Sequence, residues 1–252
     1  MTYCVAIKVN DGLVALADGR LTSGTQVTVG RKITLHGEGH QFFVATSGLR
    51  SVRDKTLAYL DRDLKKREGH NFPTMLDAVE GFVAHMRAVA RSDQEYLEDS
   101  DLKFNLHALI GGKLAEDDEP HIYLVYPEGN WIEVGERTPY LVIGETPYGK
   151  PILDRALDYE TPLPTALKLA YLSFDSTRAS ASDVGFPIDI VTFNNEDQKW
   201  REAHYIDDDV RAQRYWWNDN LTRLAREMPN GPWVEDLLPA PLWVVDSESD
   251  AG

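Results

Sequence analysis

The sequence has a single cysteine, Cys4, among 252 residues, so neither an internal disulfide nor a cysteine metal cluster can form. No apolar run is long enough to cross a membrane, and the start lacks the basic and apolar segments of a secretory signal. No Gly-x-Ser-x-Gly elbow, phosphate-binding loop or dinucleotide fingerprint occurs. These absences predict a cytoplasmic protein that holds no cofactor, with Cys4 as a small core residue.

Basic residues are few, since 26 Lys and Arg stand against 41 Asp and Glu, giving a net charge of −15. Nucleic acids and anionic membranes would be repelled by this surface, so neither is expected as a partner. Residues 230–252 contain five acids and no Lys or Arg. This Pro-rich, acidic stretch is predicted to be an extension of a domain formed by residues 1–229. Its apolar residues predict that it docks onto a surface; they are Trp233, Leu237, Leu238, Leu242 and Trp243.

Histidines give no sign of a metal centre. His36 and His40 flank the turn Gly37-Glu38-Gly39, and this spacing belongs to a glycine-rich turn instead of a metal-binding helix. The remaining histidines are scattered and are interpreted as surface or core residues. The sequence therefore predicts no metal site.

Apolar patterning predicts strands in several separate segments. Asn10-Asp11-Gly12 lies between two apolar runs and indicates a tight hairpin. The predicted strands are 2–8, 12–17, 27–29, 32–35, 41–46, 104–110, 121–126, 131–134, 140–143, 187–193 and 200–205. Gly111-Gly112 is expected to break the strand that precedes it.

Helical periodicity appears in the segments between and after these strands. The predicted helices are 49–68, 74–91, 149–157, 163–179 and 207–228, the last capped by Asp207-Asp208-Asp209. The order is strands, two helices, strands, two helices, strands, helix. This order predicts an α+β fold, a four-layer αββα sandwich of two antiparallel sheets flanked by helices. Tyr215-Trp216-Trp217 in the last helix is interpreted as core or interface, ahead of a ligand-stacking site.

Thr2 is the first candidate catalytic residue. It directly follows Met1, and removal of an initiator methionine is favoured by a small second residue. A first-position threonine carries a hydroxyl nucleophile and a free amine, which can act as the base that the hydroxyl lacks.

The predicted hairpins gather further groups around Thr2. Asp18 ends the second strand, so the tight turn returns it to the start of the first strand. Lys32 begins the next hairpin and can approach from there. Gly48 lies between a strand and a helix N-terminus, where its N–H can bind an oxyanion. A structural ion pair of Asp18 with Lys32 and a plain turn role for Gly48 are the alternative interpretations.

The pattern resembles the proteasome β-subunit family of N-terminal nucleophile hydrolases. The motifs that carry this resemblance are Thr2 after Met1, Ala17-Asp18-Gly19-Arg20, Arg31-Lys32 and Ala45-Thr46-Ser47-Gly48. Segments 143–153 and 184–189 are similar to a bacterial, proteasome-like branch of this family. The resemblance extends over about residues 2–229 and implies the αββα sandwich again.

The resemblance also implies roles. The Thr2 hydroxyl would attack an amide carbonyl, and its own amine, directly or through a water, would take the proton. Lys32 would lower the pKa of the hydroxyl, and Asp18 would hold Lys32 in its charged form. Gly48 would donate to the oxyanion, and Arg20 would support Asp18 or its loop. A homo-oligomer, as a ring or an open helical assembly, and a peptide or amide substrate are implied as well; no unfoldase partner is identified.

Two positions depart from the family pattern. Glu145 stands where the family has a serine after a conserved glycine, and Asp183 stands where a second serine is expected. Ser180 and Asp183 are the candidate supporting residues from this stretch, and Ala181 occupies the expected aspartate position. An assembly scaffold or binding module with little or no peptidase activity is therefore the alternative function. A metal-dependent hydrolase is a distant third.

Overall fold

The computed structural model describes residues 2–23 and 26–238. Its contacts divide the chain into two compact units, residues 1–209 and 210–252. The second unit thus begins ahead of the last long helix, whereas the sequence predicted an extension from residue 230. A domain spanning residues 1–229 stays a prediction.

The first unit contains the strands and four of the helices. The strands are β1 (Tyr3–Val9), β2 (Gly12–Asp18), β3 (Arg20–Ser23), β4 (Gln26–Val29), β5 (Ile33–His36), β6 (Phe42–Gly48), β7 (Leu106–Gly112), β8 (His121–Val125), β9 (Trp131–Glu133), β10 (Tyr140–Gly144), β11 (Ile188–Asn194) and β12 (Lys199–Tyr205). The helices are α1 (Arg50–Leu64), α2 (Met75–Glu98), α3 (Lys150–Ala156) and α4 (Leu163–Ser180), with short 3₁₀ turns at Glu68–His70 and Asp207–Val210. The second unit contains α5 (Arg211–Glu227) and α6 (Pro232–Leu237).

Two five-stranded antiparallel sheets form the centre of the first unit. The first sheet has the order β10-β1-β2-β11-β12, and the second has the order β5-β6-β7-β8-β9. Strands β3 and β4 form a separate two-stranded ribbon. Strands β5 and β12 are therefore both edge strands, each at one end of its own sheet.

Three apolar clusters show how these elements are layered. One cluster combines residues of β1, β2 and β11 with residues of β6, β7 and β8, so it lies between the two sheets. A second joins the opposite face of the second sheet to α1 and α2. A third joins the opposite face of the first sheet to α3 and α4. The predicted αββα sandwich is confirmed, because each sheet buries one face against the other sheet and one against helices.

Most element boundaries agree with the sequence to within a few residues, and two differences have clear causes. β7 continues through Gly111-Gly112, where a break was predicted. A Cβ at Gly111 would lie 2.6 Å from Cε1 of the Phe43 ring, so the glycine makes room for an aromatic neighbour within an unbroken strand. Helix α2 runs on to Glu98 past the predicted end at 91; its last buried residue is Val89, and Leu97 in the extension still packs against the apolar cluster of this layer.

Cys4 is fully buried, as predicted for a core residue. The apolar residues of α6 and its end are exposed, with Trp233 at 55% and Leu238 at 74%. The predicted docking of this segment is thus not seen for its described residues, and Leu242 and Trp243 lie outside the described part of the chain. No helix in the described ranges is long and apolar enough to span a membrane.

Candidate active site

The hairpin of β1 and β2 brings Asp18 next to Thr2. Cys4 pairs with Ala17, which sets Tyr3 opposite Asp18. The N–H of Tyr3 donates to Asp18 Oδ1 at 2.8 Å, so the residue after Thr2 is fixed to the carboxylate. Asp18 thus lies beside the residue that follows Thr2, and its catalytic role stays a prediction.

Lys32 reaches the same carboxylate from the other sheet. Its Nζ lies 2.6 Å from Asp18 Oδ1, and the two side chains are only 2% and 0% exposed. The backbone around Lys32 is fixed as well, because its carbonyl accepts from the Thr46 N–H at 2.9 Å. Since Lys32 immediately precedes β5 and Asp18 ends β2, this ion pair connects the two sheets.

A backbone donor completes the surroundings of Asp18. The Gly185 N–H donates to Oδ2 at 3.3 Å from the loop between α4 and β11. Burial raises the pKa of the Asp18 carboxyl, while the Lys32 ammonium and the N–H groups of Tyr3 and Gly185 act in the opposite direction. These three donors stabilise the carboxylate form, which is the form that can keep Lys32 paired.

Gly48 ends β6 and directs the chain toward α1. Its φ of +135° and the position of the Asn105 carbonyl oxygen, 2.1 Å from where a Cβ would be, both require glycine. The Thr46 N–H points to the β5 side and the Leu49 N–H bonds to the Asn105 carbonyl on the β7 side. Because N–H groups alternate between the two sides of a strand, the Gly48 N–H faces the β5 side. The last β6 residue that pairs with β5 is Ala45, so this N–H lies beyond the β5 pairing.

Thr2 and Gly48 line one cleft of about 680 Å³, which we call the Thr2 cleft. Its other lining residues are Leu21, Thr22, Thr28, Ser47, Leu49, Arg50, Asn105, His107, Gly144 and Glu145. The cleft therefore contains the candidate nucleophile and the candidate oxyanion donor together. The buried Asp18–Lys32 pair is connected to it through the hydrogen bond from the Tyr3 N–H to Asp18.

A second backbone contact holds Thr2 from the β10 side. The Glu145 N–H donates to the Thr2 carbonyl at 2.8 Å. A Cβ at Gly144 would lie 1.8 Å from the same carbonyl oxygen, and Gly144 has a φ of +91°. Glycine at 144 is thus a condition for seating Thr2, a role that the sequence did not reveal.

His107 is a cleft residue that the sequence prediction missed. It lies opposite Ser47 in the β6–β7 pairing, and burial lowers the pKa of its imidazole below the ordinary value. Its ring meets the Tyr126 ring edge-on at a centroid distance of 6.1 Å. A single histidine within a strand carries no local signal, and only the sheet register brings it to the cleft.

The three predicted supporting residues have different surroundings. The Arg20 side chain lies against Gly185, with its Cδ 3.2 Å from the place of a Cβ there, so it adjoins the loop that donates to Asp18. Ser180 is exposed at the end of α4, and Asp183 is half-buried in the following loop. The roles of Ser180 and Asp183 stay predictions.

Of the two histidines at the β5–β6 turn, His36 contacts protein groups, and His40 is exposed. His36 is buried, with Nδ1 at 2.9 Å from Asp61 and Nε2 at 2.7 Å from the Thr34 hydroxyl. Within residues 2–23 and 26–238, no group of three or more potential ligands is placed to hold a metal ion.

Comparison with protein families gives one match, in which residues 2–193 fit the proteasome subunit model. Comparison with functionally curated proteins gives no match.

Solved structures of Anbu proteins are similar over nearly their whole length. The helical assembly of the Anbu complex from Pseudomonas aeruginosa shares 32% identity over 91% of this chain and 98% of that one, with a TM-score of 0.83. An Anbu variant from Hyphomicrobium sp. strain MC1 shares 30% over 92% and 99%, with a TM-score of 0.82. Anbu from Yersinia bercovieri, described as an ancestral β-subunit, shares 29% over 91% and 98%, with a TM-score of 0.80. The resemblance inferred from the sequence motifs is confirmed.

We expect the Asp18–Lys32 pair to be essential for stability. Asp18→Ala should lower the free energy of unfolding by about 3–5 kcal/mol, because it leaves a buried ammonium without its counter-charge. Urea denaturation followed by circular dichroism measures this change. Arg201→Ala, which removes an exposed partner of Asp197, is the control and should have a much smaller effect.

A double variant separates the charge effect from a packing effect. Asp18→Leu combined with Lys32→Met removes both charges and should be more stable than Asp18→Ala alone. A double variant that is less stable than Asp18→Ala would contradict the ion-pair explanation.

Proposed function

Because the chain belongs to the proteasome subunit family, we propose that it is an N-terminal threonine hydrolase that cleaves amide bonds in peptides. The observation that carries the proposal is that Thr2 and Gly48 line one cleft, while the carboxylate of the buried Asp18–Lys32 pair is hydrogen-bonded to Tyr3, the residue after Thr2. We further propose that it acts in the cytoplasm without a cofactor.

Thr2 serves as the nucleophile once Met1 has been removed. Its hydroxyl oxygen attacks the substrate carbonyl carbon while its α-amine takes the hydroxyl proton. An amine with an ordinary pKa of about 8 suits this role near neutral pH. The intermediate collapses to an ester on Thr2 as the proton passes to the departing amine, and water then hydrolyses the ester and restores the hydroxyl.

Lys32 promotes the first step through its charge. Its ammonium shares Asp18 Oδ1 with the Tyr3 N–H, which keeps it within a few ångströms of the Thr2–Tyr3 peptide bond. The Lys32 side chain is only 2% exposed, so water screens this charge weakly. The ammonium therefore favours the alkoxide form of the Thr2 hydroxyl.

Gly48 stabilises the tetrahedral intermediate. Its N–H is directed to the open side of β6 and Gly48 lines the Thr2 cleft, where the substrate carbonyl oxygen would become an oxyanion. One such donor is worth about 3–4 kcal/mol of transition-state stabilisation.

An assembly scaffold with little peptidase activity is the second candidate function. Glu145 lines the Thr2 cleft at the position where the family has a serine, and Ser180 is exposed at the end of α4. A carboxylate near the terminal amine raises the pKa of that amine and so weakens it as a base near neutral pH.

We also propose that the chain forms a homo-oligomer, as a ring or an open helical assembly. The Pseudomonas aeruginosa relative is described as a helical assembly. In the second unit, α5 has no buried residue, and its large apolar side chains are exposed: Tyr215, Trp216, Leu221 and Leu224. Exposed apolar residues in this number are typical of a surface that another subunit covers.

The first test concerns Thr2 itself. Mass spectrometry of the purified protein should show a chain that begins at Thr2, and an electrophilic proteasome inhibitor should label this residue covalently. Thr2→Ala should abolish labelling, while Thr2→Ser should retain it because the hydroxyl and amine remain. Active protein with Met1 intact would refute the mechanism, and no labelling at saturating inhibitor would favour the scaffold.

The second test concerns the acid side of the pH profile. As the pH falls below the pKa of the Thr2 amine, protonation of this amine should lower the labelling rate. At a lower pH, protonation of Asp18 should make the fall steeper. Because burial raises the pKa of Asp18, this second fall should occur above the ordinary carboxyl range of about 4. Asp18→Asn should be slower at all pH values and should lack the second fall. A second fall that persists in this variant would assign it to another group.

The third test concerns assembly. Deleting residues 230–252 should lower the number of subunits per particle, calculated from the particle mass and the shortened chain's mass, because it removes the exposed Trp233, Leu237 and Leu238. Analytical ultracentrifugation measures this mass. A variant with Asp246→Asn, Glu248→Gln and Asp250→Asn keeps the apolar residues and should assemble normally. An unchanged number of subunits after the deletion would count against a role of the tail in subunit contacts.

A further inference from the structure

A second cleft opens between the two edge strands β5 and β12, and we call it the edge cleft. Its volume is about 740 Å³, within the range of about 300–1,000 Å³ that is usual for small-molecule sites. It shares no lining residue with the Thr2 cleft. Any ligand of the edge cleft would therefore bind separately from a substrate at Thr2.

The edge cleft is positively charged in a strongly acidic protein. Arg31, Lys113 and Lys199 line it. Glu202 is the single carboxylate among the lining residues. Because the chain as a whole has a net charge of −15, this local excess of positive charge is unlike the average surface.

Glu202 does not neutralise the lysines, because Arg31 already engages it. Arg31 Nη2 is hydrogen-bonded to Glu202 Oε1, and Arg31 Nε lies 3.7 Å from the buried Asp189. The arginine is held between two carboxylates, and its charge is compensated within the protein. The lysines thus provide the charge that is available to a ligand.

Neither lysine is neutralised by a strong contact. Lys113 is half-buried, and its side chain forms no hydrogen bond or ion pair with another residue in the described part of the chain. Lys199 follows Asp197, but the carboxylate of Asp197 is engaged by the guanidinium of Arg201. The ammonium of Lys113 therefore has no counter-charge among the described residues, and a bound anion would provide one.

Trp200 forms a rigid wall between these charges. Its ring packs against Phe193 at a centroid distance of 5.1 Å and against Phe43 at 6.2 Å. Gln41 and Gln198 also line the cleft and can donate through their amides. A fixed apolar wall with cations and amide donors around it is typical of a site for a small charged molecule.

We propose that the edge cleft binds a small polyanion, a molecule with several phosphate or carboxylate groups, through Lys113 and Lys199. Two ammonium groups and the neighbouring amides hydrogen-bond the oxyanions, and Trp200 contacts the body of the ligand. Strong oxyanions form charge-assisted hydrogen bonds with ammonium groups, which is the chemistry that this cleft offers.

Isothermal titration calorimetry of the full chain in a buffer free of phosphate and carboxylate tests the proposal. The probes are pyrophosphate, citrate and ADP, with sodium chloride at matched ionic strength as the reference. We expect saturable binding of at least one probe. Preference for pyrophosphate or for citrate distinguishes phosphate from carboxylate recognition, and tighter binding of ADP would show that Trp200 contacts an attached ring.

Charge-removing variants locate the site. Lys113→Gln and Lys199→Gln should each weaken binding about tenfold, since each removes a charge-assisted hydrogen bond. Lys103→Gln is the matched control on an exposed lysine outside the cleft and should bind as the wild type does. Quenching of tryptophan fluorescence on binding should be lost in Trp200→Phe.

Three results would overturn the proposal. They are the absence of saturable binding to all three probes, equal weakening by Lys103→Gln, and a loss of particle mass in Lys113→Gln that accompanies unchanged binding. The last would identify the lysines as subunit contacts. The assay does not use Thr2, so it stands if the hydrolase proposal fails, and Thr2→Ala should bind the probes normally.

Discussion

The buried ion pair of Asp18 with Lys32 is the constraint on which the rest of the candidate site depends. Asp18 ends a strand of one sheet, and Lys32 directly precedes a strand of the other. The Asp18 carboxylate also accepts hydrogen bonds from the backbone N–H groups of Tyr3 and Gly185. Burying two charges is costly unless their geometry and remaining hydrogen bonds are satisfied. The same contacts that meet this cost also fix the first residues of β1, so stability and the position of Thr2 have a common origin.

Backbone geometry does as much for Thr2 as side chains do. Gly144 and Gly48 both have positive φ values, and at each one a Cβ would collide with the carbonyl oxygen of the residue just before a neighbouring strand. Gly144 allows the Thr2 carbonyl to lie against β10. Gly48 lets the chain turn from β6 toward α1, with the Gly48 N–H directed to the open side of β6. The site is therefore built on strand ends that the sheets hold in register, which suits a nucleophile that must be placed accurately.

The two edge strands on one side of the sandwich create a different environment. Unpaired edges are usually protected by charged residues, and here the charges of β12 and of the segment before β5 are combined in one cleft. Arg31 connects the edge cleft with the candidate active site. It bonds to Glu202 at the edge cleft, and the next residue is Lys32 of the buried ion pair.

The sequence by itself determined most of the order of elements and the layered fold, because periodicity and a tight hairpin turn are local signals. The same hairpin set Asp18 opposite Tyr3, the residue after Thr2. Only the tertiary structure decided the contacts that depend on register between distant strands. Examples are His107 in the Thr2 cleft and the Gly185 N–H on Asp18. The edge cleft likewise joins residues far apart in the chain, which no local pattern brings together. Register is set by the packing of whole sheets, so a single segment cannot reveal it.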